Sequence, residues 1–246
     1  KFTERFQNAG DFNFFFIGDF NEDDLKQYAE VYLASLPSTD EREEFVLSSY
    51  KNIPKGEEII VHKGLEDKAT LLMNFITEGK GNLKEINALK IFGQIFKTRL
   101  RNKIREEKGG VYTVRAGLGY LSKPYKRYYG NISFNCSPDK VDILQAETLA
   151  VLKAFLKEGP SKKEVANVKK NWILNRKKSL ETNSFWHNYM YNQIYRNKKF
   201  NTIDNYEKEL AEISPKFIKK IANKYIGEPS YTAKLLPEKV VEIIEE

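Results

Sequence analysis

The sequence has little of what most metal and redox sites need: one cysteine and two histidines among 246 residues. The lone Cys136 has no second cysteine for a disulfide or a thiolate metal site, so we expect a small buried side chain on a strand. His62 and His187 lie far apart, and neither belongs to a His-Glu-x-x-His or His-x-x-Glu-His pair, which sets two imidazoles on one helical face. The chain alone therefore predicts no metal site.

Three other patterns are missing. No run of 18 or more apolar residues exists, so no membrane span is predicted. No serine lies in a Gly-x-Ser-x-Gly turn, and no glycine-rich stretch has the Gly-x-x-x-x-Gly-Lys spacing of a phosphate loop, which leaves nucleophilic catalysis and nucleotide binding without support. Residues 1–10 contain neither an initiator methionine nor an apolar signal region, so we expect an internal or processed piece.

Charge is present in both signs. Forty-one basic and 34 acidic residues give a net charge of +7, spread over the chain in short clusters such as Lys162-Lys163 and Arg176-Lys177-Lys178. Nucleic-acid binding needs basic side chains focused on one face among stacking aromatics, whereas the basic residues of this sequence are spread over its whole length, which is weak evidence for such a partner. No nucleic-acid partner is predicted.

Hydrophobic periodicity predicts alternating strands and helices in the first half of the chain. The apolar stretch 11–20 is predicted as a buried strand, and Asn21 as the cap of a helix from about 22 to 36. Two strands flank a turn near 64–67, and we expect them to pair. A long helix from 82 to 108 is the clearest prediction, because its apolar residues recur at helical spacing.

The second half continues with two strands joined by a turn at 122–124, three helices and a closing strand. The helix starts are predicted at Ser137-Pro138, at a capping box of Ser161 with Glu164, and at Ser214-Pro215. The order predicts an α+β fold, a mixed or largely antiparallel sheet with helices mainly on one face. No linker divides the chain, so we predict a single domain over 1–246, with an opening strand-helix segment 1–37 and a main body 57–236.

One charged stretch, residues 100–117, carries the best candidate site. Arg105 falls in the last turn of the long helix, Gly109-Gly110 reverse the chain, and Tyr112 begins the next strand. Both side chains are therefore placed to converge at one end of the sheet. On the residues alone two interpretations stay open, a paired binding site or a solvated arginine beside a core tyrosine.

The same stretch resembles the Arg-Glu-x-x-Gly-x-x-Tyr motif in the C-terminal half of the pitrilysin/insulinase family of zinc peptidases, with Arg105, Glu106, Gly109 and Tyr112 in register. Residues 5–37 are similar to the strand-helix segment that opens the family's second type of repeat. The helix start at 158–170 resembles a downstream Gly-x-Ser/Thr-x-x-Glu entry of the family. The resemblance covers nearly the whole chain.

The resemblance implies a fold and a function. Enzymes of this family are built from homologous halves that close like a clamshell around a peptide, and the N-terminal half carries the His-x-x-Glu-His zinc site. This chain resembles the C-terminal, non-zinc-binding domain, in which Arg105 and Tyr112 would hold the substrate's backbone carbonyl and stabilise the oxyanion. Zinc is then expected in the absent N-terminal half, the partners are that half or a homologous subunit and a peptide substrate, and this chain alone is expected to be inactive.

A second function stays open. In this alternative, the chain is a non-catalytic family member that acts as a structural or scaffold subunit in a heteromeric complex. The presence of both Arg105 and Tyr112 favours the peptidase. The resemblance also favours the periplasm or cell envelope of a bacterium as the location.

Overall fold

The computed structural model describes residues 2–39, 41, 46, 55–106, 114–195 and 205–238. These residues fall into two compact units, which are described separately. Unit 1 comprises the described residues of 1–50 and 174–202, and unit 2 those of 51–173 and 203–246. The single domain over 1–246 stays a prediction.

All regular secondary structure described in unit 1 is helical. The unit contains α1 (Phe2–Arg5), α2 (Glu22–Tyr28) continued by a π-helical turn (Ala29–Leu33), the end of α5 (Lys162–Ser179) and α6 (Asn183–Tyr195). The predicted cap is confirmed, since the Asn21 side-chain oxygen accepts hydrogen bonds from the backbone N–H groups of Asp23 and Asp24 at 2.9 and 3.1 Å. This cap satisfies two of the backbone donors that a helix start leaves open.

The buried strand predicted for residues 11–20 is wrong. The segment belongs to no described helix or strand, and Phe12, Phe14 and Phe16 are 37%, 46% and 46% exposed. A strand needs hydrogen-bonding neighbours, and no described residue pairs with the backbone of residues 13–17. The apolar composition of this stretch therefore did not indicate its environment.

Unit 2 is built on a five-stranded mixed sheet in the order β1-β5-β2-β4-β3. The strands are β1 (Glu57–His62), β2 (Ala69–Glu78), β3 (Val114–Leu121), β4 (Arg127–Cys136) and β5 (Tyr231–Leu236). All neighbouring pairs are antiparallel except β1 and β5. The predicted pairing of β1 with β2 is wrong, because β5, which comes last in the sequence, lies between them. The mixed sheet itself is confirmed.

Helices cover one face of this sheet. They are α3 (Leu83–Glu106), α4 (Val141–Glu158) after a 3-10 turn (Pro138–Lys140), the first part of α5, α7 (Tyr206–Ala211) and α8 (Pro215–Tyr225). Alternate residues of β2 are buried beneath them, as the period of a strand requires: Ala69, Leu71, Met73 and Phe75. The Phe92 and Phe155 rings stack at 4.3 Å between centroids and join α3 to α4. Cys136 is buried on β4, as predicted.

An ion pair fixes the C-terminal half of α3 to the start of α5. The Arg99 guanidinium donates from Nε and Nη2 to the two carboxylate oxygens of Glu164, both at 2.8 Å. The predicted capping box is confirmed, since the Ser161 backbone N–H donates to Glu164 Oε2 at 2.8 Å and the Glu164 N–H donates to Ser161 Oγ at 3.2 Å. Hydrogen bonds from Arg99 and Ser161 outweigh burial and lower the pKa of Glu164 from 4.5 to about 2.

This lowered pKa predicts an acid-sensitive contribution to stability. The folded state favours the ionised carboxyl, so the contribution is present above pH 4.5 and is lost as the pH falls toward 2. The Glu164 side chain is 31% exposed, and after allowance for solvent screening we expect Glu164→Gln to remove about 1 kcal/mol at pH 6 and little at pH 2. Urea unfolding at both pH values measures this difference. Glu158→Gln is the matched control, because Glu158 Oε2 lies 3.5 Å from Arg99 Nη1 and the Glu158 side chain is 66% exposed. An equal loss of unfolding free energy in both variants would contradict the account.

Candidate functional site

The structure places only part of the predicted Arg105–Tyr112 pair. The backbone of Arg105 lies in the last turn of α3, which is described through Glu106. The side chain of Arg105 and the whole of residues 107–113, including Tyr112, lie outside the described residues. The convergence of the two side chains therefore stays a prediction.

Both ends of the connecting stretch are held by the core. Leu100 and Ile104 are 0% and 4% exposed in the last turns of α3, and Val114 is 9% exposed where β3 begins. Helix α3 packs closely on β3, because a Cβ at Gly93 would lie 3.2 Å from Leu118. The core therefore fixes the points at which the chain leaves α3 and enters β3.

The sheet face opposite the helices is a candidate surface near this stretch, and we call it the open face. It consists of exposed or half-buried side chains from all five strands: Ile59, Val61, Thr70, Leu72, Asn74, Ile76, Arg115, Gly117, Asn131, Ser133, Asn135, Tyr231, Ala233 and Leu235. On β1 and β5 these side chains are apolar or aromatic, whereas β2 and β4 carry Thr70, Asn74, Asn131, Ser133 and Asn135 beside the apolar Leu72 and Ile76. We call the five polar side chains the polar band and the side chains on β1 and β5 the apolar strip.

Two side-chain hydrogen bonds cross the polar band. Asn131 Nδ2 donates to Asn74 Oδ1 at 3.1 Å, and Thr70 Oγ1 donates to Asn135 Oδ1 at 2.8 Å. Asn74 Nδ2 is shielded from solvent and has no hydrogen-bond partner within the described part of the chain. Gly117, next to Asn131 in the register, leaves open space where a side chain would stand. Neutral amides beside a gap are chemically suited to a peptide backbone, which offers donors and acceptors but no charge.

The strand that follows the Arg105–Tyr112 stretch lies at the edge of the sheet. Strand β3 pairs only with β4 among the described strands, so its outer edge offers backbone donors and acceptors. Extended peptides bind such edges by adding a strand. The edge and the open face adjoin each other, so one peptide can use both.

Sequence reasoning missed a half-buried polar cluster at the opposite end of α3. Glu85 accepts hydrogen bonds from the phenols of Tyr128 and Tyr225, both at 2.9 Å, and from Lys224 Nζ at 3.1 Å. Burial works against the charged carboxylate, but these donors lower the pKa of Glu85 overall, while burial and Glu85 raise the pKa of Tyr128. The cluster ties α3, β4 and α8 together on the covered side of the sheet. Nothing in its sequence spacing brings these four residues together, since three separate elements supply them.

The described residues contain no group of three or more His, Cys, Asp or Glu side chains that fits a metal ion. His62 Nδ1 lies 3.1 Å from the Pro237 carbonyl oxygen, and the His187 ring packs on Phe15 and Tyr191 at 6.1 and 6.4 Å between centroids. Zinc therefore does not fit the part of this chain that the structure describes. Within the same residues, no helix combines the length and the apolar composition that crossing a bilayer requires.

Comparison with known proteins points to one family. The family model described as "Peptidase M16 inactive domain" matches residues 1–171. Over 151 residues the chain is 28% identical to "Probable zinc protease PqqL" of Haemophilus influenzae, a match that covers 61% of this chain and 16% of that protein.

Solved structures show the same fold at lower identity. The crystal structure of the periplasmic protease PqqL from Escherichia coli matches 90% of this chain and 25% of its own, with a TM-score of 0.75 and 21% identity. The ferredoxin protease FusC, solved in complex with Arabidopsis ferredoxin, matches 90% of this chain and 24% of its own, with a TM-score of 0.73 and 15% identity. The chain thus spans a quarter or less of these relatives.

Proposed function

Because the chain belongs to the Peptidase M16 inactive domain family, we propose that it is the C-terminal, non-zinc-binding domain of a zinc metallopeptidase. In this role it holds a peptide against a separate catalytic half that carries the zinc. The observation that carries the proposal is the open face beside the free edge of β3, to which the Arg105–Tyr112 stretch leads directly. A sheet with helices on one face and a polar band on the other presents the second face to a ligand.

Arg105 and Tyr112 have distinct roles in this proposal. The guanidinium of Arg105 is a fixed cation with several donors, so it binds the substrate's backbone carbonyl before the reaction. The phenol of Tyr112 donates a hydrogen bond to the oxygen on which negative charge develops, which lowers the barrier more than it strengthens ground-state binding. Both groups contact the substrate on the side that faces away from the catalytic half.

The metal belongs to the catalytic half in this account. Zinc supplies a Lewis acid and an activated water when it is bound there. The contribution of this chain is to bind the substrate, align its backbone along β3 and keep water away from it.

The relatives indicate the kind of substrate and the location. One is called periplasmic in its structure's description, and another was solved in complex with a ferredoxin. We propose that this chain also serves a periplasmic or cell-envelope peptidase that takes extended peptides or small proteins. Recognition through backbone amides predicts broad tolerance of side chains.

The zinc content and the peptidase activity of the isolated chain test whether the zinc is bound by the catalytic half and not by this chain. We expect well below one zinc per chain by elemental analysis after dialysis, and no metal-dependent cleavage of an unstructured peptide, because a structural or catalytic zinc site needs at least three protein ligands. Stoichiometric zinc held by the isolated chain would overturn the assignment to the non-zinc-binding domain.

Peptide binding tests the open face. An unstructured fluorescent peptide should bind the isolated chain weakly, and Asn131→Ala should raise its Kd by about five- to tenfold, the worth of one net hydrogen bond. Fluorescence anisotropy measures both values. Leu65→Ser is the control, because Leu65 is 82% exposed between β1 and β2 and off the open face. Equal Kd values for the parent chain and the two variants would show that the open face does not bind the peptide.

A further inference from the structure

The helical layer of unit 2 concentrates positive charge that looks evenly spread along the sequence. Helix α3, residues 162–173 of α5 and helix α8 contain seven, four and four basic residues, against two, one and no acidic residues. These three segments therefore carry more net positive charge than the +7 of the whole chain. The remaining residues taken together are net negative, so the fold separates the two signs.

Two of the three acidic residues are already paired inside this layer. Glu85 accepts a hydrogen bond from Lys224 Nζ at 3.1 Å, and Glu164 accepts one from Arg99 Nε at 2.8 Å. Eight other basic side chains of the three segments are exposed to solvent, and we call them the basic surface: Lys90, Lys97 and Arg101 on α3, Lys162, Lys163 and Lys170 on α5, and Lys216 and Lys220 on α8.

A surface hydrogen bond brings the lysines of α3 and α5 close together. Trp172 Nε1 donates to Gln94 Oε1 at 2.7 Å. Lys90 and Lys97 lie one turn from Gln94 on α3, and Lys169 lies one turn from Trp172 on α5. Like charges at such distances repel each other, so an anionic partner that neutralises them is bound favourably.

We propose that the basic surface binds the anionic phospholipid headgroups of a membrane. The helices lie in one layer on one face of the sheet, so their exposed sides form a broad surface directed away from the sheet, which suits a planar array of charges. The attraction is electrostatic and involves no insertion, because the apolar sides of these helices are buried, as Phe92 on α3 and Ile218 on α8 show. The open face, on the other side of the sheet, then points away from the bilayer and stays accessible to a peptide.

The chemistry of the basic surface selects lipid over nucleic acid. Seven of its eight members are lysines, which act as point charges, whereas bidentate recognition of phosphates and bases uses arginine. Stacking on bases needs exposed rings, but all five aromatic side chains of the three segments are buried or half-buried: Phe92, Phe96, Trp172, Phe217 and Tyr225. The choice rests on the proposed function in one respect, since a cell-envelope location places the chain beside membranes.

Co-sedimentation of the full chain with lipid vesicles tests the proposal. With phosphatidylcholine vesicles that contain about 30% phosphatidylglycerol, the partition coefficient at about 50 mM salt should be at least about tenfold higher than with phosphatidylcholine alone. It should fall at least about tenfold at about 0.5 M salt, where charges are screened over a few ångströms. Equal binding to both kinds of vesicle, or binding that salt does not weaken, overturns the proposal.

Charge-removing variants locate the binding surface. The double variant Lys97→Gln, Lys170→Gln should lower the partition coefficient on the anionic vesicles by about 25-fold, roughly fivefold for each lysine near the membrane. The matched control is Lys63→Gln, Lys68→Gln, which removes the same charge from exposed positions outside the three helices and should change binding by less than about threefold. Equal losses in the two double variants would show that net charge, and not the basic surface, governs binding.

A nucleic-acid arm and the assay itself separate the remaining outcomes. Fluorescence anisotropy with a labelled DNA duplex, at the same salt concentration, measures the competing polyanion. Tighter binding to the duplex than to the anionic vesicles overturns the proposal and assigns the basic surface to nucleic acid. Neither assay reads peptidase activity, so a failure of vesicle binding leaves the proposed peptidase function standing.

Discussion

Tyr112→Phe in the full-length protein is expected to lower kcat by about 10² to 10³, the usual cost of removing one oxyanion donor. The proposed phenol hydrogen bond strengthens in the transition state, so KM should change little. The Tm should stay within about 2 °C of the parent, since the substitution keeps the ring. Steady-state kinetics beside a thermal melt give both readouts.

Two comparisons make this result specific. Tyr191→Phe removes the same hydroxyl from a tyrosine that is 47% exposed on α6, and it should leave kcat unchanged. Arg105→Ala should raise KM as well as lower kcat, because the guanidinium is proposed to bind the ground state too. A core tyrosine and a solvated arginine would give the opposite pattern, with stability lost in the first variant and nothing lost in the second. That pattern would show that Arg105 and Tyr112 contribute to the structure of the domain and not to catalysis.

Phe155→Ala should have the largest effect on stability, a loss of about 3 to 5 kcal/mol. Phe155 is 1% exposed, its ring stacks on Phe92, and the Arg99 guanidinium lies 4.3 Å above it. Truncation leaves a cavity between α3 and α4 and removes the surface on which Arg99 rests. For a unit of this size the Tm should fall by about 10 °C or more.

Leu65→Ala is the reference for this measurement. Leu65 is 82% exposed, so its truncation should change the free energy of unfolding by no more than about 0.5 kcal/mol. Calorimetry of both variants separates a local packing loss from a general effect of shortening a side chain. A Tm drop of less than 3 °C for Phe155→Ala would show that α4 repacks on α3 without the aromatic stack.

Local signals in the sequence located most elements of the fold. Asn21, the Ser161–Glu164 box and Ser214 all cap helices as predicted, because a cap depends on residues within one turn of each other. The long helix is confirmed through Glu106, and the last two positions of that prediction lie outside the described residues.

Non-local features escaped prediction. Strand β1 pairs with β5, which is far away in the sequence, and nothing in either strand encodes that choice over pairing with β2. The stretch 11–20 is apolar in composition, but none of its residues is buried, so composition gave the wrong environment. The Glu85 cluster joins residues from three elements, and only the folded packing brings them together. For Arg105 and Tyr112, the residue spacing left two interpretations open, and the proposed substrate-binding role came from the resemblance to a family motif.

The central claim is that this chain completes a peptidase whose zinc lies elsewhere. The most direct test is the cleavage rate of an unstructured peptide by the separately expressed zinc-binding half, measured as this chain is added. We expect the rate to be low for the half alone and absent for this chain alone, to rise to saturation on mixing, and to rise at least about 100-fold less when the added chain carries Tyr112→Phe. A rate that is the same with and without this chain would contradict the account.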